Sequence, residues 1–178
     1  MAFESFLGEA LADLLADFNR RGVDYALAGG WAFSALVEPR ATTDIDLLIV
    51  LDRPSRESIQ ALLSSVFDST IVHPTPMTFQ GISMWRSVGV CREQEVVVDF
   101  LLADSDFLRT ALARKHRIAL GALLVSVLTL EDLILLKTIA GRLQDQADLE
   151  KIAERKSDLQ IDWSYVDKWK ATLGLNKR

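Results

Sequence analysis

The chain has 178 residues, a formal net charge of −5, 49% hydrophobic and 25% charged residues, ordinary values for a folded protein with a sizeable core that exclude a disordered or low-complexity polypeptide. The acidic balance is against strong non-specific binding to nucleic acid, and the single Cys91 excludes an intrachain disulfide framework and fits a reducing compartment. No apolar run approaches the roughly 18 residues of a membrane span, and Glu4, Glu9, Asp13 and Asp17 make the N-terminal stretch unlike a secretory signal. A cytoplasmic chain of one domain over residues 1–178 is expected, its core about 22–155 with a C-terminal helical extension.

In chain order, Phe6, Leu7, Leu11, Leu14, Leu15 and Phe18 recur at helical spacing and predict an amphipathic helix over Phe3–Arg20, stopped at Gly22. Val23–Ala28 reads as a short apolar strand closed by Gly29-Gly30. The helix expected over Trp31–Val37 must end before Pro39. Asp44–Leu51 reads as a strand whose Leu47–Leu51 run has no polar alternation, which places it centrally and buries both faces. A second amphipathic helix is expected over Pro54–Phe67, with Ile59, Leu62, Leu63 and Val66 on one face. After the loop His73–Pro76 come three strands, around Met77–Phe79, Ile82–Val90 and Glu95–Leu102. Asp106–Ala113 reads as a short helix, and Ile118–Val127 as one or two strands around Gly121. Thr129 and Asp132 form a capping box that opens a helix to Arg142 with Leu133, Leu136 and Ile139 as its apolar face. A turn at Leu143-Gln144 then leads to a helix through Ile152, and a last helix covers Trp163–Leu173. Strands mostly precede helices, so the class is α+β.

The chemistry gathers between Ala28 and Leu51. Residues i and i+2 of a strand share a face, so Asp44 and Asp46 project together and Ile45 points away. Two carboxylates side by side repel, and such a pair either shifts its proton affinity or takes a cation. Mg²⁺ suits the position, being a hard ion held by one or two carboxylates plus substrate phosphates. Gly29-Gly30 leads a strand into a helix N-terminus, where exposed N–H groups suit a phosphate and only glycine allows close approach. Asp99 is the one charge inside Val96–Leu102, where a buried carboxylate without a partner is costly. Each feature has a plain structural alternative: a simple turn, solvated strand ends, an exposed sheet face. One kind of cation accounts for all three, because carboxylates on adjacent strands can hold two Mg²⁺ ions that clamp a nucleoside triphosphate.

Ala28-Gly29-Gly30, thirteen residues, Asp44-Ile45-Asp46-Leu47 and then the isolated Asp99 resemble the signature of the nucleotidyltransferase superfamily, which shares the fold of DNA polymerase beta. Tyr25–Ala32 and Pro39–Leu47, with Leu130–Lys137, Arg142 and Asp145–Leu149, are similar to the AbiEii-type nucleotidyltransferases, among them toxins of type IV toxin–antitoxin systems. The resemblance implies a mixed β-sheet flanked by helices, with further helices at the C-terminus. It implies Mg²⁺-dependent transfer of a nucleoside monophosphate from a triphosphate to an acceptor, whether RNA, protein or small molecule, with release of pyrophosphate. By the same resemblance Asp44, Asp46 and Asp99 are the catalytic metal ligands, with Asp99 also a base for the incoming hydroxyl. Gly29 and Gly30 would contact phosphates through the backbone, Lys137 would act as a point cation, and Arg40 and Arg142 are further phosphate candidates. Asp145 and Asp148 would orient Lys137 or Arg142, or favour the start of the next helix. An antitoxin partner is compatible with it, and a membrane is not. Without the resemblance, Lys137 reads as an exposed helix lysine.

Gly29-Gly30-Trp31-Ala32 is also similar to small antibiotic nucleotidyltransferases of the aminoglycoside and lincosamide kind, although Arg40-Ala41-Thr42-Thr43 departs from their Thr-Arg order. A third reading, a non-catalytic nucleotide-binding partner protein, requires a broken triad, and the three aspartates are intact. Trp31 reads as core or as a wall of the nucleotide site. Arg109, Arg114, Lys115, His116 and Arg117 form one basic cluster, either a solvated helix end or a track for acceptor RNA. Val166 and Trp169 give the last helix a stripe that either docks on the body or forms a dimer contact.

Overall fold

A computed structural model describes residues 5–175. The first helix, α1 (Phe6–Arg21), starts where the Ser5 hydroxyl accepts from the Gly8 N–H at 3.1 Å and ends at Gly22 in the left-handed region, φ 67°. The start expected at Phe3 lies outside the described residues. There follow β1 (Tyr25–Leu27), α2 (Gly29–Leu36), β2 (Asp44–Ile49), α3 (Arg56–Leu63), β3 (Ser69–Val72), β4 (Met77–Phe79), β5 (Ile82–Cys91) and β6 (Gln94–Leu102). The chain continues through α4 (Asp106–Arg114), β7 (His116–Leu120), β8 (Leu123–Val127), α5 (Leu130–Ala140), α6 (Leu143–Glu154) and α7 (Trp163–Thr172).

The strands form one mixed sheet in the order β3-β5-β6-β2-β1-β8-β7, with β4 added to β5. The pairs β2–β6 and β1–β8 are parallel and the others antiparallel. The class is α+β, a mixed sheet flanked by helices, as the order of elements implies. Central β2 buries Ile45, Leu47, Leu48 and Ile49 completely, but it ends at Ile49, so the buried run expected through Leu51 stops short and Val50 is 44% exposed. Trp31 is 8% exposed and belongs to the core.

Four details differ from the sequence expectation. β3 was not foreseen: Ile71 and Val72 are the only apolar residues of this strand and Ile71 faces solvent, so no alternating pattern marks it. β7 begins at His116, inside the basic run. α5 is buried nearly all round, from Leu130 through Lys137, rather than along one face. The turn expected at Leu143-Gln144 falls at Gly141-Arg142, where Gly141 takes φ 62° and the Asp145 carboxylate accepts the Arg142 N–H at 3.3 Å. α7 docks as the aromatic stripe anticipates: Val166 is buried, Trp169 lies 5.3 Å from Phe107 between ring centroids, and the Tyr165 hydroxyl donates to Asp132 at 2.6 Å. No helix of the described residues is long and apolar enough to cross a membrane.

Candidate active site

Strand register assembles the acidic half. The parallel pairing of β2 with β6 sets Asp46 opposite Asp99, and the antiparallel pairing of β6 with β5 sets Asp99 opposite Arg86. Asp46, Asp99 and Arg86 therefore form one row across three strands, and Asp44 joins them two residues back on the same face of β2. Asp44, Asp46 and Asp99 each present a carboxylate oxygen within 4.8 Å of the others. Arg86 grips Asp99 with both prongs, Nε to Oδ1 at 2.9 Å and Nη2 to Oδ2 at 2.6 Å. By contrast, among the described residues no hydrogen bond or ion pair reaches the Asp44 or Asp46 side chain. Burial pushes the Asp46 carboxyl up to about 7, with the like charges of Asp44 and Asp99 adding to it, while Arg142 and Lys137 pull the other way.

The glycine pair divides into two roles. Gly29 opens α2 with φ 55°, and a Cβ there would stand 1.8 Å from Oδ2 of Asp46, so backbone conformation and close approach both require glycine. The Ala28 N–H donates to the Asp46 carbonyl at 2.9 Å, which ties the turn to the head of β2. Gly30 serves packing: a Cβ there would meet Thr42 Cγ2 at 2.3 Å. Its place against the loop before β2 explains a glycine without any phosphate.

The basic half comes from the elbow between α5 and α6. Lys137, which composition alone would leave on the surface, is buried with its Nζ 2.5 Å from Asp148 and 3.4 Å from Asp145. Arg142 binds Asp145 through Nε at 2.7 Å, and Arg40 approaches Asp148 at 3.2 Å. Asp145 and Asp148 thus orient Lys137 and Arg142, as the resemblance anticipates. Three cations against two carboxylates leave this side net positive.

Both halves border a cavity of about 370 Å³, to which Gly29, Asp46, Asp99, Arg86, Lys137 and Arg142 contribute. Asp44, Gly30 and Arg40 stand off its wall. Arg86 was not foreseen from the sequence; its place within β5 marks it only as a polar residue in a strand, and the partner across the ladder gives it meaning. Three members of the basic cluster at 109–117 are engaged by the scaffold, while His116 and Arg117 are exposed. Arg114 pairs with Glu131 and Asp132 and lies 3.8 Å over the Tyr165 ring. Lys115 pairs with Asp24 at 2.8 Å, and Arg109 donates to the Asp104 carbonyl.

The donor set fits a hard divalent cation: oxygen ligands only, three carboxylates converging, two of them without a hydrogen-bond or ion-pair partner among the described residues and one of these disposed to stay protonated without a counter-charge. The chain belongs to the family described as "Nucleotidyl transferase of unknown function (DUF2204)", whose model matches residues 8–173. Among solved structures it is similar to an antigenic nucleotidyltransferase-like protein from Paracoccidioides brasiliensis, at 21% identity and TM-score 0.56, over 83% of this chain and 73% of that one. It is similar to a putative nucleotidyltransferase from Thermotoga maritima, at 16% identity and TM-score 0.55, over 83% of this chain and 92% of that one. It is also similar to ANT(2")-Ia in complex with adenylyl-2"-tobramycin, at 15% identity and TM-score 0.62, over 96% of this chain and 98% of that one. At these identities the likeness is one of fold. None of the curated proteins matches the sequence significantly.

Proposed function

We propose that this nucleotidyltransferase moves a nucleoside monophosphate from a triphosphate to an acceptor hydroxyl, with Asp44, Asp46 and Asp99 holding Mg²⁺. The observation that carries this reading is the cluster of three converging carboxylates, two of which, Asp46 and Asp99, border one cavity with Lys137 and Arg142 of the elbow. Bound there, Mg²⁺ would neutralise phosphate charge and polarise the reacting phosphorus centre. The Gly29 turn receives phosphate oxygens at the α2 N-terminus, and Lys137 and Arg142 offset the triphosphate charge from the α5–α6 side. Asp99 takes the proton of the acceptor hydroxyl as the new P–O bond forms, and the bond to pyrophosphate breaks on the opposite side. Arg86 fixes the orientation of Asp99 for that transfer. A cytoplasmic setting, suggested by the single Cys91, fits the supply of triphosphate.

The test is calorimetric titration with a non-hydrolysable analogue of each nucleoside triphosphate, with and without Mg²⁺, on wild type and Asp44→Ala. Metal-dependent binding that falls roughly 100-fold or more in Asp44→Ala is the expected outcome. Equal binding by both proteins would sink the assignment of the triad.

Two finer readings of the acceptor follow from different observations. The wording at 25–32 and 39–47 supports a toxin-like role on RNA or protein with an antitoxin partner. Similarity over nearly the whole of ANT(2")-Ia supports an antibiotic acceptor, for which unchanged inhibitory concentrations in a susceptible host expressing the chain would be decisive against.

A further inference from the structure

We infer that the acceptor is a neutral, apolar or aromatic compound carrying the reactive hydroxyl, seated in the part of the cavity beyond Asp99. This rests on the transferase reading above and names its substrate class.

The sheet order sets the direction. Gly29 follows β1, on one side of β2, while β6, β5 and β4 lie on the other. From β1 to β5 there are three strand spacings, about 14 Å. In-line displacement expels pyrophosphate opposite the entering oxygen. With the phosphates held over Gly29, the acceptor enters from the β6–β5–β4 side.

That side is apolar. Met84 and Leu101 face each other across the ladder, two residues beyond Arg86 and Asp99 on the same face. Met77 pairs with Met84, and Phe79 with Ile82, so β4 extends the same wall. Leu133 and Leu136 of α5 also line the cavity. Methionine walls adapt to irregular rings, and an apolar wall favours a ring without charge.

Charge weighs against a polycationic acceptor. The carboxylates bordering the cavity are Asp46, Asp99 and Asp145. Asp99 is held by Arg86, Asp145 by Lys137 and Arg142, and Asp46 belongs to the metal. An acceptor bearing several ammonium groups, such as an aminoglycoside, would bring charges into an apolar chamber with no carboxylate left to pair them.

The experiment is calorimetric titration of 2-naphthol and of tobramycin into wild type, Met84→Glu and Phe79→Ala, each with and without Mg²⁺ and a non-hydrolysable triphosphate. Phe79 is half-exposed, so its truncation leaves the core intact if Met84→Glu fails to fold. The expected result is 2-naphthol binding to wild type, with or without nucleotide, weakened about tenfold or more in Met84→Glu and severalfold in Phe79→Ala. Triphosphate binding should stay within about twofold in both variants, and tobramycin should not bind wild type. Absence of 2-naphthol binding, or tobramycin binding to wild type, overturns the inference. So does parallel loss of triphosphate binding in the variants, which would make the chamber a nucleobase slot. Failure of the transferase reading shows separately, as wild type that takes no Mg²⁺–triphosphate while the nucleotide-free 2-naphthol titration still reports on the chamber.

Discussion

Lys137 has two buried carboxylates within reach, whereas Asp46, across the same cavity, and its neighbour Asp44 have no hydrogen-bond or ion-pair partner among the described residues. The two regions carry opposite charge, yet they differ more in bookkeeping than in sign. In the α5–α6 elbow each charge has a counter-charge from this chain, so the elbow is complete as folded. At the head of β2 like charges are brought together with only Asp99 compensated, by Arg86. Such an imbalance is relieved either by protonation, as the raised Asp46 carboxyl shows, or by a cation from outside the chain. The elbow is paired as folded, and the aspartate pair is not.

The comparison is broken most strongly from the elbow. Lys137→Ala leaves Asp148 and Asp145 short of a buried counter-charge and should cost about 3–5 kcal/mol of folding stability. Urea unfolding measures it, and a loss within experimental error would mean that the elbow is not the scaffold described. Next comes Gly29→Ala. The left-handed backbone and the encroachment on Asp46 together should cost about 2–3 kcal/mol and displace the carboxylate. A stable Gly29→Ala protein with unchanged Mg²⁺ affinity would contradict the close approach.

The smallest effect sharpens the acidic side. Asp46 titrates at about 7 in the folded metal-free protein against 3.8 ordinarily, so folding favours its protonated form. That contribution is fully present below pH 3.8 and is lost as pH rises through about 7. Metal-free protein should lose on the order of 1–2 kcal/mol across this window once solvent screening is allowed for. Asp46→Asn should flatten the dependence. Mg²⁺ affinity should run the other way, weakening as pH falls below about 7, because the ligand must shed its proton. A metal-free protein whose stability rises over this window would refute the like-charge account.

Much of the site was legible because it depends on short periods. Asp44 and Asp46 share a face by the two-residue period of a strand, and the Gly29 turn follows from an apolar run meeting paired glycines. The capped start of α5 was readable from Thr129 and Asp132 alone. Lys137 was assigned a phosphate role only through family resemblance, since a lysine within a helix gives no local sign of burial. β3 escaped notice because an edge strand buries too little to impose a pattern.

What the sequence by itself determined is the chemistry offered at each point: an anion pair at the head of a central strand, a turn only glycine can make, a helix with a defined start. What only the tertiary structure decided is which of these charges are compensated. Arg86 meets Asp99 because β5 pairs with β6 in one register, and a slip of one residue would turn it to the other face. Lys137 meets Asp145 and Asp148 because α6 turns back at Gly141. Met84, Leu101 and Leu133 border one chamber because α5 comes to lie near strands remote from it in sequence. Charge pairing and cavity lining are properties of neighbours in space, and local periodicity carries no information about neighbours that far apart along the chain.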